Sequence, residues 1–254
     1  MAKIQSIYRY PIKGLSPERL DRAALTPGQT MPGDRLYAIE NGPSGFDPAK
    51  PYLPKTRFLM LMKNERLAGL RTAFDQDTHV LTIDVPFPEG AEQVRGCLRT
   101  AEGRAAIEAF FAAYCADELH GPPKILHAEG HSFSDVARKV VSIINLASVA
   151  ALEDMVGVPV NPLRFRANLY VEGWPAWSEL DLVGRELTIG QRARLKVVKR
   201  IVRCAATNVD PDTALRDLNI PQTLMRNLDH ADCGIYAEVA EGGKIAEADE
   251  IQIV

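Results

Sequence analysis

Short alternating runs that stop at Pro or Gly set the architecture of this chain. Ile4-Gln5-Ser6-Ile7-Tyr8-Arg9-Tyr10 alternates and ends at Pro11. Arg35-Leu36-Tyr37-Ala38-Ile39-Glu40 runs into Asn41-Gly42-Pro43. Leu67 to Phe74 reads as a third strand, and Asp75-Gln76-Asp77 as a hairpin turn into Val80-Leu81-Thr82-Ile83. A period of two between turn residues predicts half-buried strands. Residues 1–95 are therefore expected to form a small antiparallel, barrel-like unit.

Two helices follow in the pattern. Thr100 is placed to cap the first, with Ala106, Ile107, Phe110, Phe111 and Tyr114 at helical spacing. The second starts near Asn145, runs through Leu146, Val149, Leu152 and Met155, and stops at Gly157. Strands return at Arg166–Val171, Leu187–Ile189 and Arg194–Val202. A closing hairpin is expected from Ile235–Val239 and Glu250–Val254 around Gly242-Gly243. The fold class is mixed α+β, mostly β. A small N-terminal β-barrel-like unit (1–95) is expected to pack against a larger, strand-rich domain (96–254) with peripheral helices, with the seam near residues 84–96.

Charge excludes one broad class. The chain carries 30 Lys and Arg against 33 Asp and Glu in 254 residues, with no basic tail, so nucleic acid is not an expected partner. The N-terminus has no apolar signal region, and no stretch is long enough to span a membrane, so no membrane partner is expected. Cys97, Cys115, Cys204 and Cys233 form neither a CxxC pair nor zinc-like spacing. A reduced, cytoplasmic chain is the expectation. His127 and His131 are four apart, but Gly130 between them argues against a helical metal pair.

Cys204 is the leading chemical candidate. It follows a strand-like run and precedes a polar turn ending in Asp210-Pro211, which places a thiol at the mouth of a sheet. In an extended strand, Lys196, Val198, Arg200, Val202 and Cys204 share one face, and Lys199 and Arg203 the other. A nearby cation favours the thiolate, and soft metals take sulfur ligands. Arg164 and Arg166 flank Phe165 and could form a guanidinium fork for phosphate or carboxylate oxygens, with Asn168 continuing that face. Lys13 follows Tyr10-Pro11-Ile12, and Arg57 closes a Gly- and Pro-rich loop. Asp135-Val136-Ala137 precedes a strand feeding the second helix, where Ser142, Asn145 and free N–H groups could hold an anion. Tyr236 sits in Gly234-Ile235-Tyr236. Each also fits a plainer role: a packed thiol, a surface salt bridge, a turn lysine, a helix cap, a core tyrosine.

The run Val202-Arg203-Cys204-Ala205-Ala206-Thr207-Asn208-Val209-Asp210-Pro211 resembles the Arg-Cys-x-x-Thr-x-Val-Asp-Pro signature of MOSC domains. Arg164-Phe165-Arg166-Ala167-Asn168 and Tyr10-Pro11-Ile12-Lys13-Gly14 are similar to further segments of that family. Similarity to its branch that includes the mitochondrial amidoxime-reducing component and bacterial relatives covers nearly the whole chain and implies an N-terminal β-barrel domain (1–95) followed by a MOSC β-barrel domain (96–254). The resemblance implies a molybdenum–molybdopterin cofactor with Cys204 as metal ligand. It implies cofactor contacts from Lys13, Arg57, Ser142, Asn145, Arg164, Arg166, Asn168, Arg203 and Thr207. Tyr236 would lie near the metal, and Asp210 would orient the cysteine loop or handle protons. The implied activity is reduction of small N-hydroxylated or N-oxygenated compounds by oxygen-atom removal. Electrons would come from a separate donor: a ferredoxin, a flavodoxin, or a cytochrome b5-like protein with its reductase. A cofactor or sulfur carrier without turnover is the alternative, and an inert module with a buried Cys204 a third. Pyridoxal phosphate binding is a further association of the family.

Overall fold

The computed structural model describes residues 1–86 and 93–254. In chain order its elements are β1 (Ala2–Arg9), β2 (Glu18–Leu20), β3 (Arg22–Leu25), β4 (Ala38–Asn41), β5 (Arg71–Asp75), β6 (Val80–Asp84), β7 (Gln93–Cys97), α1 (Ala101–Tyr114), β8 (Pro123–Leu126), β9 (Val141–Asn145), α2 (Leu146–Val156), β10 (Leu169–Glu172), β11 (Glu186–Ile189), β12 (Ala193–Val202), α3 (Ile220–Leu228), β13 (Asp232–Glu241), β14 (Gly243–Ala246) and β15 (Glu250–Ile253). The fold is mostly β, as the alternating runs predict.

Seven strands close into a barrel in the order β10-β9-β13-β12-β11-β15-β1, with β1 pairing back onto β10. The β1–β10 pairing joins strands that would otherwise leave the sheet open. β9 and β10 run parallel because α2 crosses between them; the other pairs are antiparallel. One face of each strand fills the interior. Ile4 and Ile7 meet Val141, Ile143, Leu169, Val171, Leu195, Val197 and Ile235 there. Their burial is the main stabilising term of this half. β1, the first strand of the chain, is thus a stave of a barrel otherwise built from the second half.

The smaller unit, β4 to β8 with α1, has its own core. Ile39, Leu59, Leu67, Leu81, Ile83, Ile107 and Phe111 pack together between the β5-β6-β7 meander, the β4–β8 pair and α1. Thr100 caps α1 by accepting from Gly103 N at 3.0 Å. Gly103 is required for packing: a Cβ there would lie 2.2 Å from Cys97 O on β7. Part of the expected seam, residues 87–92, lies outside the described residues.

Several expected boundaries move for backbone reasons. Arg35 has φ 52°, so the strand predicted from it starts only at Ala38. Glu65–Gly69 is a 3-10 turn, and β5 starts after it. Pro162–Phe165 is likewise a 3-10 turn closed by Arg166 at φ 51°, so Arg166 does not begin a strand and β10 starts at Leu169. The expected closing hairpin does not form. β13 pairs with β12 and β9, β14 with β3, and β15 with β11 and β1. Asn145 caps α2 and Gly157 ends it in the left-handed region, as its sequence predicts. Among the described residues, no helix is long and apolar enough to cross a membrane.

Candidate functional site

β12 ends at Val202, and the chain turns into the 3-10 segment Ala205–Asn208. Cys204 is the extended residue before that turn. Its carbonyl accepts from Thr207 N at 3.0 Å and Thr207 Oγ1 at 2.9 Å. Thr207 therefore fastens the turn. β12 carries a register shift between Val197 and Lys199, so strict alternation fails beyond it. Lys199 to Cys204 all line one cavity of about 270 Å³ at the barrel mouth, with the Arg203 side chain directed to Cys233 O and Phe165 O and the Cys204 sulfur to Lys55.

The cavity is strongly cationic. Lys13, Arg35, Lys55, Arg164, Arg166, Lys199, Arg200 and Arg203 line it against only Asp34 and Asp135. Low-dielectric walls focus such a field and favour an anionic occupant. Lys55 Nζ lies 3.5 Å from Cys204 Sγ and 3.3 Å from Asp135 Oδ2. Burial opposes the Lys55 charge, but Asp135 and Cys204 outweigh it and hold the ammonium above the ordinary lysine value. Lys13 Nζ donates to Asp135 Oδ1 at 2.5 Å and to Phe133 O at 2.9 Å. Burial pulls its ammonium below the ordinary value, with Asp135 opposing. Burial works against the Asp135 carboxylate too, yet Lys13 and Lys55 hold it well below the usual range.

The two arginines of the expected fork diverge. Arg164 is buried, with Nη2 on Asp210 at 2.6 Å and Asp217 at 2.7 Å and Nη1 on Asn208 O at 3.1 Å. Arg166 lies over the Tyr10 ring, 4.2 Å from its centroid, beside Arg35 at 4.9 Å. Arg166 Nη2 and Arg164 Nε are buried without a partner. Burial pushes the Arg166 guanidinium down to about 10, with Tyr10 opposing. A buried donor without an acceptor is costly, and an anionic ligand would relieve that cost.

Other predicted residues take supporting places. Arg203 donates from Nε to Cys233 O at 2.7 Å and from Nη1 to Phe165 O at 3.0 Å, bracing the strand end. Asn168 Oδ1 accepts from Ser142 N at 3.0 Å and Oγ at 2.9 Å, and its Nδ2 donates to Tyr8 O at 3.2 Å. Both Asn168 and Ser142 line the cavity, as does Tyr236, whose phenol burial raises above its ordinary value with Arg203 opposing.

Three predicted residues lie outside the lining. Arg57 is exposed on its 3-10 turn, while Lys55 two residues earlier reaches the site. Asn145 Nδ2 donates to Pro175 O and Glu179 Oε2, and its Oδ1 caps α2, so that helix end is closed and not an anion site. Asp210 caps the turn at Asp212 and Thr213 and pairs with Arg164. The sequence reading missed Lys55 and Arg35, and saw the segment of Asp135 without its role. The adjacent acid–base pair Asp34-Arg35 was the one local signal; the rest is tertiary.

The family model for the MOSC domain matches residues 118–252, and that for the MOSC N-terminal beta barrel domain matches residues 1–117. The chain belongs to the MOSC family. The two matches meet at residue 117, whereas residue pattern puts the seam near 84–96. A similar curated protein is mitochondrial amidoxime-reducing component 1 of Homo sapiens, 23% identical over 249 residues, covering 90% of this chain and 72% of that protein. Among solved structures, the YUAD protein from Bacillus subtilis aligns at a TM-score of 0.47 and 15% identity, covering 99% of this chain and 94% of that one. YiiM from Geobacillus stearothermophilus aligns at 0.36 and 20% identity, covering 45% and 53%.

Proposed function

We propose that this MOSC protein binds the molybdenum cofactor and reduces small N-hydroxylated or N-oxygenated compounds by removing oxygen. The observation that carries this reading is the meeting of Cys204 Sγ with a cationic cavity that holds a buried guanidinium nitrogen without a partner, Arg166 Nη2. A soft thiolate suits a soft metal. Buried arginines suit a phosphorylated, heteroatom-rich group. The donor set therefore fits the cofactor: Cys204 would ligate the metal, the unpartnered Arg164 Nε and Arg166 Nη2 would hold the pterin, and Lys13 and Arg35 would lend charge to its phosphate. When bound, the cofactor supplies the two-electron oxygen-atom chemistry.

The chain's own residues orient and offer hydrogen bonds. Thr207 and Arg203 fix the turn that aims Cys204. Lys55 keeps a positive charge against the sulfur, and Asp135 keeps Lys55 in place. Tyr236 lines the cavity with its phenol raised by burial, so it would stay protonated and offer a hydrogen bond to a substrate oxygen rather than give up its proton readily. A separate electron-donor protein completes the cycle. Of the three cavity lysines, Lys13 and Lys55 are paired to Asp135, which leaves Lys199 alone for the imine that pyridoxal phosphate would need.

Turnover of an N-hydroxylated amidine with a chemical electron donor tests the reading. Cofactor-loaded protein should consume it, with Cys204→Ser inactive. A loaded protein that binds molybdenum yet turns over no such compound would favour a carrier.

A further inference from the structure

Arg216 ties the Cys204 turn to the opposite wall of the cavity. Its Nη1 donates to Ala205 O at 3.0 Å, the residue after Cys204. Its Nη2 reaches Leu61 O and Met62 O, each at 2.9 Å, and Glu65 Oε2 at 2.9 Å. Leu61 and Met62 belong to the smaller unit and line the cavity facing Cys204. The planar guanidinium can hold acceptors on both walls at once, which the single ammonium of lysine cannot. On one side of Cys204, Arg203 braces the chain to the barrel through Cys233 O and Phe165 O. On the other side, Arg216 braces it to the smaller unit. The Lys55–Cys204 contact crosses the same gap.

We propose that Arg216 is a positioning residue that sets where the Cys204 sulfur stands relative to the cavity wall carrying Lys55. The inference rests on Cys204 being the reactive ligand. Misplacement of a reacting group by about 1 Å can cost on the order of 100-fold in rate, so a brace acting through a neighbouring carbonyl has catalytic weight. Arg71 provides the contrast. It also bridges to the far loop, donating to Pro211 O at 3.4 Å and Asp212 O at 3.3 Å, but the cysteine turn is not among its partners.

Amide hydrogen exchange on cofactor-free protein tests the proposal, since it reads local opening. Arg216→Met should speed exchange several-fold in a peptide spanning 203–209 and leave the β12 peptide 193–201 unchanged. Arg216→Lys should fall between wild type and Arg216→Met, and it carries the test if Arg216→Met does not accumulate. Arg71→Met should leave the 203–209 peptide at the wild-type rate. In cofactor-loaded protein, Arg216→Met should lower kcat with little change in KM. Unchanged exchange at 203–209 in the Arg216 variants, or an equal rise in Arg71→Met, would overturn the proposal. The exchange arm needs neither cofactor nor substrate, so failure of the reductase reading would leave it standing.

Discussion

Lys55 Nζ lies 3.5 Å from Cys204 Sγ, and the two residues come from opposite walls of one cavity. Lys55 precedes Leu59 of the smaller unit's core, while Cys204 follows the end of β12, a ten-residue stave of the barrel. The soft donor and its neighbouring cation therefore meet only once the two units have packed, and Asp135 links Lys55 to Lys13.

Asp135→Asn should destabilise the protein by about 1–3 kcal/mol near neutral pH. It leaves the buried Lys13 ammonium without its counter-charge, a loss reduced by the partial exposure of Asp135. The folded carboxylate is held below its unfolded value, so its contribution is present above the ordinary carboxylate range and is lost as pH falls toward the depressed value. Urea unfolding of both proteins at neutral and acid pH should show the gap closing on the acid side.

Arg166→Met should leave the cofactor-free protein as stable as wild type, or more stable by about 1 kcal/mol, because it removes the buried nitrogen Nη2 that has no partner and leaves an apolar chain against Tyr10. The same variant should retain less molybdenum after expression with cofactor. Thermal unfolding and metal content, measured on one preparation, check both arms. A large loss of stability would mean that the Tyr10 stacking dominates.

Glu179 is fully buried and accepts from Asn145 Nδ2 at 2.9 Å and Ser148 Oγ at 2.8 Å. Burial raises its carboxyl above the ordinary glutamate value despite these bonds. The folded state then binds its proton more tightly than the unfolded state. Stability should fall as pH rises from the unfolded to the raised folded value. Glu179→Gln should flatten that slope, read as urea midpoints across the mildly acid range.

What the sequence disclosed was local. Thr100 and Asn145 announce their helices because a cap needs one side chain and the next turn. The Cys204 run is legible because its turn is built from adjacent residues. Lys55, Arg35 and Arg216 act across the chain, and no periodicity reports which lysine or arginine meets a sulfur or a carbonyl far away in sequence. The fork expected of Arg164 and Arg166 failed on a single backbone angle, the positive φ at Arg166. α3 went unread although Pro221 in its first turn is a fair start signal. A barrel in the larger domain was expected; that β1 completes it was not legible, since β1 pairs with β10 and β15 from the far half.

Metal content is the most direct test of the central claim. The protein and Cys204→Ser would be expressed in a host that makes the pterin cofactor and analysed by mass spectrometry. The account predicts about one molybdenum per chain in the wild type, as a single cysteine ligand implies, and loss of it in the variant. Equal molybdenum in both proteins, or none in either, would contradict it.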